Sequence, residues 1–137
     1  IKNALEGYVP SNSRSQLIEK DSNKIILDAY NANPTSMKAA IENFSKMEGS
    51  DKILLLGGMM EMGAESLKEH TAIVQLIDQY KWKSVVLVGG DFDKVQHPYI
   101  NFKTSAEAAQ WLKEQQPKNS LLLVKGSRSM QMEKVLE

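Results

Sequence analysis

The sequence predicts an α/β domain built on a mostly parallel sheet of five or six strands, and three observations carry that prediction. Short, nearly unbroken apolar runs recur at residues 24–27, 52–56, 84–88 and 120–124. Stretches with apolar residues at helical spacing lie between most of them. The runs close on glycine, aspartate or lysine turns. Unbroken apolar strands need cover on both faces, and crossover helices supply it, which gives three layers.

Taken in order, residues 14–19 alternate loosely, Asp21-Ser22-Asn23 supplies turn chemistry, and residues 24–27 follow. The chain therefore opens on a β-hairpin whose first strand is antiparallel at a sheet edge. Asn33 precedes Pro34 as an N-cap precedes a first-turn proline, and Met37, Ala40, Ile41, Phe44 and Met47 then repeat at helical spacing up to Glu48-Gly49-Ser50. Residues 52–56 form the next strand and enter a glycine-bounded turn over residues 57–63. Leu67, His70, Val74, Ile77 and Tyr80 share one face of a second helix, residues 84–88 are a strand, and Gly89-Gly90-Asp91 closes it. Ile100-Asn101-Phe102 reads as a short strand, and Ser105 as the cap of a helix reaching about residue 115. Residues 120–124 lead into Lys125-Gly126-Ser127-Arg128-Ser129, and a last helix is expected from Ser129 to the end.

At 137 residues, 42% hydrophobic and 25% charged, the chain fits one domain with a real core. Basic and acidic residues balance at 17 each, so there is no broad pull toward nucleic acid or an anionic membrane, and any anion must be held locally. The absence of cysteine excludes disulfides and thiolate metal sites. No apolar run approaches the roughly 20 residues of a membrane span. The chain starts at Ile1 within an apparently structured segment, which makes a fragment of a longer, cytoplasmic protein the expectation.

Three polar turns follow predicted strands: residues 28–33, 57–63 and 125–129. Parallel strands put all three on one sheet edge, where ligands of open α/β sheets gather. Asp28 is acceptor-only when ionised and suits ribose hydroxyls, whereas Asn31 and Asn33 both donate and accept. A structural reading competes, in which Asn33 only caps the helix and Asp28 only serves nearby N–H groups. Lys125, Ser127 and Arg128 surround a glycine at an expected helix start, a place for a phosphate or carboxylate, or else a solvated turn. The turns match neither G-x-x-x-x-G-K-[ST] nor G-x-G-x-x-G. His70 reads as a packed, hydrogen-bonded histidine, His97 has no identifiable partner, the two histidines lack metal-ligand spacing, and the methionines read as core.

Read together, these stretches resemble the C-terminal domain of the Mur ligase family, in the form found in members that add D-alanyl-D-alanine. Pro10-Ser11-Asn12-Ser13-Arg14-Ser15-Gln16 is similar to the family's P-x-N-G-R-S-Q, and Asp28-Ala29-Tyr30-Asn31-Ala32-Asn33-Pro34 to its D-x-Y-N-A-N-P. Leu56-Gly57-Gly58-Met59-Met60-Glu61-Met62-Gly63 looks like L-G-D-M-x-E-L-G, and His70 falls where the family's next histidine does. Lys125-Gly126-Ser127-Arg128 with Met132-Glu133 resembles K-G-S-R-x-x-x-M-E. The resemblance spans essentially the whole chain. It departs at Ser13, Leu27, Gly58 and Met62, and only Gly58, standing for aspartate, removes a functional group.

What the resemblance implies is a Rossmann-like C-terminal domain of an ATP-dependent amide ligase of peptidoglycan synthesis. In that family ATP phosphorylates the terminal carboxylate of UDP-N-acetylmuramoyl-tripeptide, and the amine of D-Ala-D-Ala attacks the acyl phosphate. By similarity Arg14, Asp28 and Asn31 are assigned to the nucleotide, and Asn33, Lys125, Ser127 and Arg128 to substrate. No catalytic residue and no metal ligand is assigned to this chain. The P-loop, the magnesium site and the UDP-sugar pocket belong to two preceding domains, so the 137 residues are expected to be inactive alone. Two alternatives remain at this point, a related ligase of the folylpolyglutamate-synthetase type and a non-catalytic α/β binding module.

Overall fold

The computed structural model describes residues 16–20, 22–28, 33–47, 51–59 and 63–136. Its elements are β1 (Gln16–Lys20), β2 (Asn23–Asp28), α1 (Pro34–Lys46), β3 (Lys52–Gly57), α2 (Ser66–Ile77), β4 (Ser84–Val88), β5 (Ile100–Phe102), α3 (Ser105–Gln115) and β6 (Leu121–Lys125). One six-stranded sheet has the order β1-β2-β6-β3-β4-β5. As expected from the hairpin, β1 runs antiparallel to β2, and every other neighbouring pair is parallel.

The unbroken apolar runs are explained by this order, because β3 and β6 lie inside the sheet and are buried at every residue. Successive side chains point to opposite faces and build two cores. On one face Leu54, Leu56, Leu87 and Leu123 pack under Met37, Ile41 and Phe44 of α1 and Ile73, Val74 and Ile77 of α2. On the other, Leu55, Val86, Leu122 and Val124 meet Ala108 of α3 together with Met132 and Val135. Three layers result. The end of β3 away from the polar turns carries Lys52, whose ammonium donates to the Ser45 carbonyl at 2.8 Å and whose pKa is lowered by burial.

Helix ends follow the sequence signals closely. Asn33 is the α1 N-cap: its Oδ1 accepts from the Ser36 N–H at 2.8 Å, and the Ser36 hydroxyl accepts from the Asn33 N–H at 3.0 Å. This reciprocal pair satisfies two of the amides a helix start leaves over, a contribution of about 1 kcal/mol. At the far end of α2, the Trp82 indole donates to the Ile77 carbonyl at 3.0 Å, while its ring stacks on Phe44 with centroids 5.9 Å apart. For α3 the cap is Thr104 rather than Ser105, because Thr104 and Glu107 form the capping box and Ser105 is already helical.

Two further expectations are corrected. Leu67 lies on the solvent side of α2, 47% exposed, since the buried face runs through His70, Ile73, Val74 and Ile77. The last helix does not form; short 3-10 turns at Arg128–Met130 and Met132–Leu136 replace it. Gln131 between them has φ +52°, a left-handed conformation that stops α-helical winding, and it lets Met132 turn inward into the second core. The amide-to-carbonyl bonds Met130 to Ser127, Gln131 to Arg128 and Lys134 to Gln131 all span three residues, as 3-10 winding requires.

Near β5, His97 finds the partners the sequence did not reveal. Its Nε2 pairs with Asn101 Oδ1 at 2.9 Å, and its Nδ1 accepts from the Tyr99 N–H at 3.1 Å. The Tyr99 hydroxyl donates to the Asp78 carboxylate just after α2. Burial first, and then this hydrogen bond and the Asp78 charge, push the Tyr99 phenol up to about 12. A raised folded-state pKa means the contact stabilises the fold below the ordinary phenol value near 10, and that this contribution is lost as pH climbs toward 12. Tyrosinate absorbance is therefore expected to show a late step near pH 12 that is missing in Tyr99→Phe; an unchanged titration in that variant counts against the assignment.

Candidate functional site

Parallel pairing brings the carboxyl ends of β2, β6, β3 and β4 to one edge of the sheet, as the sequence reading required. Backbone bonds join the turns there in strand order. The Gly126 N–H donates to the Asp28 carbonyl (3.4 Å), Ser127 N–H to the Gly58 carbonyl (3.2 Å), Gly58 N–H to the Val88 carbonyl (2.9 Å) and Gly89 N–H to the Phe102 carbonyl (2.8 Å). The described parts of these turns thus form one hydrogen-bonded rim, in which these four donors find carbonyls on a neighbouring strand end or turn.

At the start of this rim sits a buried ion pair. Asp28 and Lys125 are register partners on β2 and β6, and Lys125 Nζ lies 2.8 Å from Asp28 Oδ2. Their side chains are 5% and 1% exposed. Breaking such a pair by removing one partner leaves a buried charge uncompensated and costs about 3–5 kcal/mol. Sequence reading placed both residues at the same edge and missed the pairing, because strand order is needed to make them neighbours.

The remaining residues singled out by the sequence are distributed unevenly. Asn33 is exposed at the start of α1, with Oδ1 committed to the cap. Ser127 is buried, and Arg128 is exposed. Because Arg128–Met130 is a single 3-10 turn, the anion-favouring dipole of a full helix, expected at Lys125–Ser129, is not formed there. Arg14 and Asn31 lie outside the described residues.

His70 stabilises the turn after β3. The fully buried imidazole accepts the Met59 N–H on Nε2 at 3.0 Å, and its Nδ1 is 2.7 Å from the Ser66 carbonyl. A carbonyl only accepts, so the proton sits on Nδ1 and the ring is neutral, with both nitrogens used. The edge of Phe92 packs on it at a centroid distance of 4.7 Å. Beside it the Ser66 hydroxyl, ahead of the Lys94 ammonium at 3.6 Å, holds the Asp91 carboxyl below its usual range despite the opposing effect of burial.

The profile of the Mur ligase, glutamate ligase domain matches residues 13–128. The chain belongs to the Mur ligase family. Among its relatives is the UDP-N-acetylmuramoyl-tripeptide–D-alanyl-D-alanine ligase of Bacillus subtilis, 35% identical over 97% of this chain and 32% of that protein. The ligase of the same name from Rickettsia prowazekii is 29% identical over 90% of this chain and 29% of its own length. In structure, this Mur ligase domain matches a MurF from Acinetobacter baumannii with a TM-score of 0.75 at 30% identity, covering 98% of this chain and 32% of that one. A Thermotoga maritima MurF solved with ADP shares the fold, with a TM-score of 0.77 at 24% identity over 93% of this chain and 30% of that one. The chain thus spans about a third of the relatives it matches.

Within the Mur ligase domain, residue 58 has a physical reason to be glycine. A Cβ built on Gly58 would lie 2.6 Å from Gly90 Cα, and one on Gly90, at φ +57°, would lie 2.7 Å from Gly58 Cα. The turns after β3 and β4 touch backbone to backbone. Gly58→Asp, which restores the acid of the family pattern, is expected to destabilise the domain by about 1–3 kcal/mol through overpacking; thermal unfolding checks this, and an unchanged midpoint would show that the turns can separate freely.

Proposed function

We propose that the full-length protein containing this domain is an ATP-dependent ligase that joins D-alanyl-D-alanine to UDP-N-acetylmuramoyl-tripeptide during synthesis of a peptidoglycan precursor in the bacterial cytoplasm. The observation that carries this reading is the gathering of the carboxyl ends of β2, β3 and β6 on one sheet edge, in a chain whose relatives bear that ligase name. The domain covers the ATP and dipeptide side of a site whose other half lies on preceding domains, and it closes over bound nucleotide as a lid.

In this reading Asp28 accepts ribose hydroxyls, and Asn31 and Arg14 also serve the nucleotide, Arg14 at its phosphates. Arg128, with Ser127 and Asn33, takes the dipeptide carboxylate; a guanidinium suits such a planar anion. The chemistry needs the tripeptide carboxylate phosphorylated and the amine held in line, and this domain contributes orientation and exclusion of water once closed. Magnesium is assigned to the preceding domains. Among the described residues, no group of three or more His, Cys, Asp or Glu side chains is placed to hold a metal ion.

Half a site binds weakly. A few charge-assisted hydrogen bonds at about 1.5–3 kcal/mol each stand against an association cost of roughly 4–15 kcal/mol. The isolated domain is accordingly expected to bind ATP no tighter than about millimolar, with no ligase activity. Calorimetry tests the first point, and micromolar binding would contradict it. In the full-length protein, Arg14→Ala and Asp28→Asn are expected to lower phosphate release, measured with ATP, the tripeptide precursor and D-Ala-D-Ala, by about tenfold or more. Undiminished turnover in both would remove them from the site.

A further inference from the structure

We propose that Lys125 is a positioning residue for the nucleotide side of the site, the buried counter-ion that aims Asp28, and not a ligand for the dipeptide carboxylate. The proposal rests on the reading of Asp28 as a ribose acceptor and adds a residue to it. Three observations support it.

First, Lys125 is buried against Asp28. Its side chain is 1% exposed and its Nζ is 2.8 Å from Asp28 Oδ2, whereas Arg128, three residues on, is in solvent. A side chain this buried, with its ammonium on one Asp28 oxygen, has its charge committed to that carboxylate. Second, the pair is fixed by the sheet. The two residues end β2 and β6 as register partners, and the Gly126 N–H ties the Asp28 carbonyl to the same exit turn. β6 therefore takes part in setting the direction of the carboxylate.

Third, the chemistry asked of Asp28 needs a compensated charge. A carboxylate this buried is costly without a cation beside it, and only the ionised form offers acceptors alone to two hydroxyl groups. An ammonium on one oxygen supplies the charge and holds the plane of the group. Lys125 thus acts on nucleotide through Asp28, and its loss should be felt as lost ribose recognition.

The test uses the full-length ligase with ATP, 2′-deoxy-ATP and 3′-deoxy-ATP, measuring kcat, KM for each nucleotide and KM for D-Ala-D-Ala in wild type, Asp28→Asn, Lys125→Gln and Lys125→Arg. Lys125→Gln is expected to raise KM for ATP about tenfold or more and to erase most of the preference for ATP over the deoxy analogues. Its KM for D-Ala-D-Ala should stay within about twofold, and Lys125→Arg should recover part of the nucleotide preference. A rise confined to the KM for D-Ala-D-Ala would overturn the proposal. If Asp28→Asn erases the preference and Lys125→Gln leaves it intact, the positioning role fails alone; if Asp28→Asn also leaves it intact, the underlying ribose reading fails. Should Lys125→Gln not fold, the neutral pair Asp28→Asn with Lys125→Met replaces it. In that variant a wild-type KM for D-Ala-D-Ala supports the proposal, and a rise of about tenfold in it overturns the proposal.

Discussion

The last strand of the chain is inserted into the interior of the sheet, and the other elements take their final places around it. β6 lies between β2 and β3, so β1-β2 and β3-β4-β5 are two separate half-sheets until residues 121–125 join them. Its five residues are buried, and they complete both cores at once. The closure is long-range: Ser120 donates its N–H to the Asn23 side chain across 97 residues of sequence. Polar contacts fix the register at both ends of β2. Asn23 holds one end through Ser120 and the Pro117 carbonyl, and Asp28 holds the other through Lys125. A slip of one residue would turn every apolar side chain of β6 to the wrong face and separate the charges.

The same insertion creates the edge on which function is proposed. Because β6 separates β2 from β3, Gly126 and Ser127 bridge Asp28 and Gly58, and backbone bonds continue through Val88 and Gly89 to Phe102. A rim of this construction is stiff at its base. Arg128 is exposed on it, while the charge that is hardest to accommodate, Asp28, is settled inside against Lys125. At the opposite edge the corresponding position is taken by a neutral amide, Asn23, which needs no counter-ion.

Strands and helices were legible because each is written locally: apolar runs for the strands, helical spacing and the Asn33-Pro34 cap for α1, and turn residues between. What escaped was non-local. Leu67 fits the helical stripe of α2 in spacing yet falls outside the face the sheet covers. The expected last helix is overridden by Met132, which gains more in the second core than a continuous helix would allow it. At the site, the sheet edge and its polar residues could be read directly, and His70 could be read as packed. The pairing of Asp28 with Lys125, and the stalling of the Arg128 turn as 3-10, depend on strand order and on packing after β6, which no short motif states.

The backbone contact between Gly58 and Gly90 also bears on how this domain can change over generations. Residues 58 and 90 occupy a single space between them, so the fitness of any side chain at one is conditional on the geometry at the other. A side chain at residue 58 requires the turn after β4 to move away, because its Cβ would lie 2.6 Å from Gly90 Cα. The two positions are therefore sterically coupled, although 32 residues separate them in the chain.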